Sequence, residues 1–222
     1  MKMHNECLEL AAERLLNCIT DIVHEYDFVL AGGTALALRL GHRISVDLDF
    51  FTQREFSTEK IFEDMRKNGL DPQVLQEEEG MLTVTINGTK ISLFHYPYPF
   101  LEEKEDIGVP IAGVLDIASM KLIAISQRGA KRDFVDLYFI LQDTPFWKIA
   151  ENLVKRFGRG RINPLHIAKS LVYFDDADAD PEPLYFEKNS PKWEDIKRFF
   201  RRHVQQMTID LEKASFSQDK GK

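Results

Sequence analysis

Gly32-Gly33-Thr34, followed after a short interval by Ser45-Val46-Asp47-Leu48-Asp49-Phe50, is the segment from which this chain is best understood. Ser45 to Phe51 alternates like a strand. Ser45, Asp47 and Asp49 point to one side, and Val46, Leu48 and Phe50 to the other. Two aspartates at i and i+2 stand within reach of one cation, and without a cation two packed carboxylates repel. A hard divalent ion removes that conflict and bridges to phosphate oxygens. Taken alone, the pair also fits the polar face of a half-buried strand. The preceding glycines add to it. Gly32 and Gly33 allow a ligand close to the backbone, and a helix start after them offers free N–H donors to phosphate. Thr34 contributes a hydroxyl at the same turn. A tight strand-to-helix turn would use the same residues. A glycine turn for phosphate and two carboxylates for metal are together the parts that phosphoryl transfer needs. Arg39, His42 and Arg43 lie between them. Arg43 is the best placed to reach a phosphate, and a surface loop is the other reading of this trio.

Working outward, Cys7 to Tyr26 has the periodicity of an amphipathic helix, with Leu8, Ala11, Leu15, Ile19 and Ile22 on one face. Phe28 to Ala31 reads as a buried strand, and Thr34 to Leu40 as a helix closed by Gly41. Thr58 to Asn68 reads as a helix with Ser57 as N-cap. Met81 to Ile86 and Thr89 to Phe94 form a hairpin around Asn87-Gly88. Beyond Pro110 the pattern predicts helices at Leu115–Gln127, Arg132–Gln142, Phe146–Phe157, Pro164–Tyr173 and Trp193 to about Glu212. Asn163-Pro164 suits a cap and first position. Asp116 reads as an N-cap, Asp175 to Pro183 as an acidic loop, and the tail after the last helix as frayed. Trp147 and Trp193 fit helix packing. The expected fold class is α+β: a small mixed sheet of nucleotidyltransferase type flanked by helices, then an all-helical C-terminal part. The expected division is 1–110 and 111–222, and a cleft at the boundary is the usual place for a small-molecule site.

The bulk numbers narrow the partners. The chain has 222 residues and a formal net charge of −7, so attraction of the whole surface to nucleic acid is excluded and any RNA contact needs a local basic patch. The candidates are Arg128, Lys131 and Arg132; Lys155, Arg156, Arg159 and Arg161; and Lys197, Arg198, Arg201 and Arg202, each of which also fits a solvated helix face. Cys7 and Cys18 have no partners at metal-ligand spacing, and reduced thiols in a cytoplasmic protein are expected. The N-terminus lacks the unbroken apolar run of a signal peptide, and no stretch is long enough for a membrane span.

The two quoted segments, extended to Gly32–Leu38 and Gly41–Phe50, resemble the signature of the AbiEii/AbiGii-type nucleotidyltransferases, the toxin-like branch of the DNA polymerase beta superfamily. Ala118-Ser119-Met120-Lys121-Leu122-Ile123-Ala124, with Arg128-Gly129-Ala130-Lys131-Arg132-Asp133-Phe134-Val135-Asp136-Leu137, resembles that family's second block. The resemblance implies that Asp47 and Asp49 bind catalytic metal, Mg²⁺ in a two-metal site with Mn²⁺ as a substitute. It implies that Gly33, Thr34 and Ser45 line the nucleotide's phosphate site, to which Gly32 and Arg43 are added by their own chemistry and position as read above. Lys121 would contact the nucleotide and Asp133 would complete the catalytic set, with Asp136 one turn further on. The implied partners are a nucleoside triphosphate, an RNA acceptor such as tRNA, and an antitoxin. By spacing alone, Lys121 and Arg128 share a helix face, and Asp133 and Asp136 serve equally well as structural ion-pair partners.

The chain departs from the superfamily's pattern at one place. A third carboxylate is commonly found on a later strand, and in Lys90-Ile91-Ser92-Leu93-Phe94 that polar position is Ser92. An unactivated serine is no general base. Asp133 or Asp136 supplies the carboxylate, the acceptor is activated differently, or the chain is an impaired nucleotide- or partner-binding module of the same fold. A metal-dependent phosphohydrolase is a third and weaker reading.

Overall fold

A computed structural model of the chain describes residues 3–186 and 190–216. It falls into two compact units, Met1–Gly113 and Val114–Lys222. The division lies three residues beyond Pro110, because Pro110 and Ile111 are themselves part of the first unit's sheet.

The first unit opens with a 3-10 turn at Asn5–Cys7 and helix α1 (Leu10–Glu25). Strand β1 (Val29–Ala31) runs directly into α2 (Gly32–Leu40), and β2 (Leu48–Thr52) and α3 (Thr58–Lys67) follow. The remaining strands are β3 (Gln73–Glu78), β4 (Met81–Ile86), β5 (Thr89–His95), β6 (Glu105–Asp106) and β7 (Pro110–Ile111). All seven form one mixed sheet in the order β3-β4-β5-β2-β1-β7-β6. β1 is antiparallel to β2 and parallel to β7, while β2 is parallel to β5. Along β2 the even positions Leu48, Phe50 and Thr52 are buried, and Asp49 and Phe51 on the other face are half-buried. Leu15, Ile19 and Ile22 of α1 and Ile61 and Met65 of α3 belong to the apolar core, as do Leu30, Ile91 and Leu93 of the strands. Phe28 lies edge-on to Phe50 and Phe56.

Several sequence expectations need correction here. The helix after the glycines starts at Gly32 and not at Thr34, so the glycines are its first turn. Gly32 takes the left-handed φ of +68° that a β-carbon disfavours. The strand through the aspartates begins at Leu48. Ser45 makes only an isolated parallel bridge to Leu8, and Val46 is 44% exposed. The N-terminal helix starts at Leu10, leaving Leu8 outside it and Cys7 buried. β3 was not anticipated, because every residue of this edge strand is exposed and its side chains carry no apolar alternation.

The second unit is helical: α4 (Val114–Arg128), α5 (Lys131–Asp143), α6 (Phe146–Phe157), α7 (Pro164–Ser170), α8 (Asp175–Ala179) and α9 (Trp193–Phe216). Phe134 is its hub, with ring centroids of Phe174, Trp193 and Phe200 at 5.1, 5.9 and 5.5 Å. Asn163 caps α7 as its sequence suggests, accepting from the His166 amide. Three expectations fail. The acidic loop contains α8, whose Asp175, Asp176 and Asp178 sit at a helix N-terminus where negative charge is favoured. Trp147 is 47% exposed, whereas Trp193 is buried. Asp116 is not a cap but lies inside the first turn of α4, fully buried, where Asn152 Nδ2 donates to it at 3.1 Å and Arg156 Nε lies 3.5 Å away. The last helix continues past its expected end near Glu212 to Phe216, so the start of the predicted frayed tail is helical, and the rest of it, 217–222, lies outside the described residues.

Candidate active site

The first cluster sits where β1 ends and β2 begins. Ala31 pairs with Asp49, so the first turn of α2 and the second aspartate are adjacent by register. A β-carbon placed on Gly32 would lie 3.1 Å from Asp49 Oδ2. The carboxylate therefore stands directly over the glycine. Gly33 is spoken for as well. A β-carbon there would collide with Arg43 Nη2 and lie 3.4 Å from Ser45 Oγ. The space that glycine leaves is filled by the Arg43 guanidinium, which is itself buried and donates from Nη1 to the Ile44 carbonyl at 3.2 Å. Thr34 Oγ1 lies 2.8 Å from Ser45 Oγ and donates to the Asp47 carbonyl, which fixes the segment before β2 against α2.

Asp47 precedes β2 but shares the side on which Asp49 stands. Its Oδ2 lies 3.6 Å from Lys90 Nζ, and Lys90 is two residues before Ser92 on β5. Ser92 in turn is the direct cross-strand partner of Asp49. The third-carboxylate position is thus occupied by a serine that is 3% exposed, at the side of Asp49. The donor set of Asp47 and Asp49 suits a hard cation such as Mg²⁺, because it supplies oxygen ligands and leaves room in the coordination shell for phosphate oxygens. Among the described residues no group of three or more His, Cys, Asp or Glu side chains is placed to hold a metal. The acidic set here is therefore smaller than a triad.

Arg39 and His42 do not form a surface loop. Both are buried. Arg39 Nε donates to the Ala112 carbonyl at 2.6 Å and Nη2 to that of Ile111 at 3.3 Å, tying α2 to β7. Its role is structural. A surface hollow lined by Phe56 to Glu59 and Glu77 to Gly80 shares no residue with the aspartate cluster, and its four glutamates make it a poor phosphate site.

The second cluster lies within the helical unit. Lys121 Nζ reaches Asp133 Oδ1 at 2.8 Å and Asp136 Oδ2 at 2.6 Å, with both aspartates fully buried. Arg128 Nη2 holds Asp133 Oδ2 at 3.2 Å while its own side chain is 58% exposed. The shared face of Lys121 and Arg128 is thus realised as two cations on one carboxylate.

The basic runs are partly consumed by the fold. Lys131 Nζ donates to the Asp180 carbonyl at 2.6 Å and to Glu182 at 3.2 Å. Arg156 Nη1 donates to the Asp116 carbonyl at 2.5 Å. Lys197 bridges Glu194 and Asp178, which hold its ammonium above the ordinary lysine range. Arg132, Lys155, Arg159, Arg161, Arg201 and Arg202 remain exposed. Cys7 and Cys18 are both free thiols, the first buried and raised in pKa chiefly by that burial. No described helix is long and apolar enough to cross a membrane.

Comparison with known proteins gives the family and the fold. The model of a family described as nucleotidyl transferase AbiEii toxin, type IV toxin-antitoxin system, matches residues 14–78 and 90–216. The protein aq_aa25 of Aquifex aeolicus (strain VF5) is 43% identical over 186 residues, covering 81% of this chain and 87% of its own. Two solved structures share the fold. A candidate nucleotidyltransferase from H. pylori superposes with a TM-score of 0.54 at 21% identity, covering 92% of this chain and 96% of its own. MenT4, a nucleotidyltransferase toxin of Mycobacterium tuberculosis H37Rv, superposes with a TM-score of 0.56 at 15% identity, covering 93% and 87%.

Proposed function

This chain belongs to the AbiEii nucleotidyl transferase toxin family, and on that premise we propose that it moves a nucleoside monophosphate from a triphosphate to a hydroxyl of an RNA acceptor, with tRNA the first to test. The observation that supports the reading is the convergence of Asp49, Gly32, Gly33 and Arg43 at the start of α2, where a carboxylate, a guanidinium and a helix N-terminus lie close together. The α2 N–H groups, Thr34, Ser45 and Arg43 receive the triphosphate. Asp47 and Asp49 are the residues to hold Mg²⁺, with Mn²⁺ as an alternative. When bound, the ion supplies charge neutralisation on the phosphates.

In the transfer the acceptor oxygen forms a bond to the α-phosphorus. The bond from that phosphorus to the bridging oxygen breaks, and its electron pair leaves with pyrophosphate. Arg43 is proposed to stabilise the leaving charge. The acceptor's proton passes to water, because Ser92 has no carboxylate to offer. The exposed arginines of the second unit are the proposed RNA contacts, and a cognate antitoxin is the proposed protein partner.

The test is incubation with Mg²⁺, each labelled triphosphate and total RNA. Label appearing in RNA with release of pyrophosphate is expected. Asp47→Ala and Asp49→Ala together abolish it while circular dichroism is unchanged. Transfer retained in that double variant would refute the assignment. A second reading is favoured by Ser92 beside Asp49: a module that binds nucleotide without turnover. Triphosphate bound with no pyrophosphate released, over the same RNA panel, would select it.

A further inference from the structure

The sheet face that carries Asp49 holds an ordered row of cross-strand pairs. β2 and β5 run parallel with Asp49 opposite Ser92 and Phe51 opposite Phe94, and Lys90, two residues before Ser92, ion-pairs with Asp47. Along the strands the face therefore passes from charge, through a carboxylate beside a hydroxyl, to two phenyl rings. These rings are stacked, with centroids 5.0 Å apart and planes at 22°, and Tyr96 lies edge-on to Phe51 at 5.3 Å. They differ from Phe28 and Phe50 on the opposite face, which are fully buried. Phe51 and Phe94 are only half-buried, and they sit next to a charged site.

We infer that Phe51 and Phe94 form a platform for the terminal nucleobase of a single-stranded nucleic-acid acceptor. The inference rests on the nucleotidyl-transfer reading above. Direction along the strand selects the acceptor over the triphosphate. Gly33, Thr34 and Ser45, the phosphate end, lie before Asp47 in the direction of β2, whereas Phe51 lies after Asp49. In an in-line displacement the attacking hydroxyl enters opposite the departing pyrophosphate, which is the aromatic side of Asp49. Two strand residues span roughly 7 Å, a distance suited to a base whose sugar hydroxyl reaches the phosphorus near Asp49. Aromatic rings bind any base through its π-face, so this platform holds the acceptor's end without reading its sequence.

The experiment compares the full-length protein with Phe51→Leu, Phe94→Leu and the double variant, since leucine keeps apolar volume and removes the π-face. Alanine variants at the same positions, checked by circular dichroism, give the larger perturbation. Probes are fluorescent single-stranded RNA pentamers ending in adenosine or in an abasic riboside, read by anisotropy with Mg²⁺ and no triphosphate. Steady-state transfer gives KM separately for RNA and triphosphate. The expected result is a rise in acceptor KM and pentamer Kd on the order of tenfold in the double leucine variant, triphosphate KM unchanged, and an abasic end that binds wild type as weakly as the variant. Unchanged pentamer binding overturns the platform, and so does a rise confined to triphosphate KM. Failure of the transfer reading is distinct: the wild type then releases no pyrophosphate with any triphosphate, whatever the leucine variants do to pentamer binding. Wild-type protein that binds neither RNA end overturns the platform as well.

Discussion

Asp49 and Ser92 face each other across parallel strands β2 and β5, so the residue beside the second aspartate of the site is a buried hydroxyl and not a carboxylate. This pairing separates charge that a triad would concentrate. Ser92→Asp restores the concentration and makes it conditional on metal. Two neighbouring carboxylates with no cation cost on the order of 1–3 kcal/mol. In EDTA the variant should melt several degrees below wild type, at roughly 2–4 °C per kcal/mol for a chain of this size. Millimolar Mg²⁺ should recover most of that loss. A melting temperature equal to wild type in EDTA would mean the two side chains do not meet.

Asp47 and Asp49 are half-buried and outside the apolar core, so replacing either should leave the fold intact. Asp47→Ala also removes the exposed pair with Lys90, which is worth about 0–1 kcal/mol. Transfer should fall at least on the order of a hundredfold for each, since metal ligation supplies several kcal/mol to such a step. Pyrophosphate release measured beside a denaturant titration separates the two effects.

Gly33→Ala tests why the glycine is there. Its β-carbon must displace the Arg43 guanidinium, and forced repacking costs about 1–3 kcal/mol. Arg43→Ala should be tolerated better in the Gly33→Ala background than in wild type. A double-mutant cycle by urea unfolding should therefore give a coupling above about 0.5 kcal/mol. Simple additivity would show that the two residues do not share this space.

Lys121 carries the charge of two fully buried aspartates. Lys121→Met leaves both carboxylates without that cation and should destabilise by about 3–5 kcal/mol. Activity of this variant must be read against its folded fraction. Lys121→Met with Asp136→Leu removes part of the conflict and should regain stability. Stability of Lys121→Met within 1 kcal/mol of wild type would contradict the buried-pair geometry.

Asp178 accepts from Trp193 Nε1 at 2.6 Å and from Lys197 Nζ at 2.9 Å, and these bonds hold its carboxyl below the ordinary range. Its folded pKa lies below the unfolded value. The stability it contributes is complete above about pH 4 and is lost as pH falls through the folded pKa. Asp178→Asn should be less stable than wild type at pH 7, with the gap closing in acid. Trp193 fluorescence in denaturant at both pH values measures it, and a gap independent of pH would remove the charged hydrogen bonds as its source.

Local chemistry fixed much of this in advance. The Asn87-Gly88 turn set the β4–β5 hairpin, Asn163 and Ser57 set helix starts through their side-chain oxygens, and the glycine–aspartate pattern singled out Gly32 and Asp49, which the β1–β2 register brings side by side. The features that escaped depend on partners distant in sequence. β3 is a strand because β4 offers it a ladder, although its own side chains are all exposed. β7 exists through its parallel pairing with β1 and its antiparallel pairing with β6. Arg39 reads as a loop residue until Ile111 and Ala112 supply carbonyls, and Asp116 reads as a cap until Arg156 and Asn152 arrive from another helix. Sequence alone determined which side chains could do chemistry. The tertiary fold decided which of them carry buried structural charge, because backbone ladders and ion-pair partners are set by packing and leave no mark on neighbouring residues.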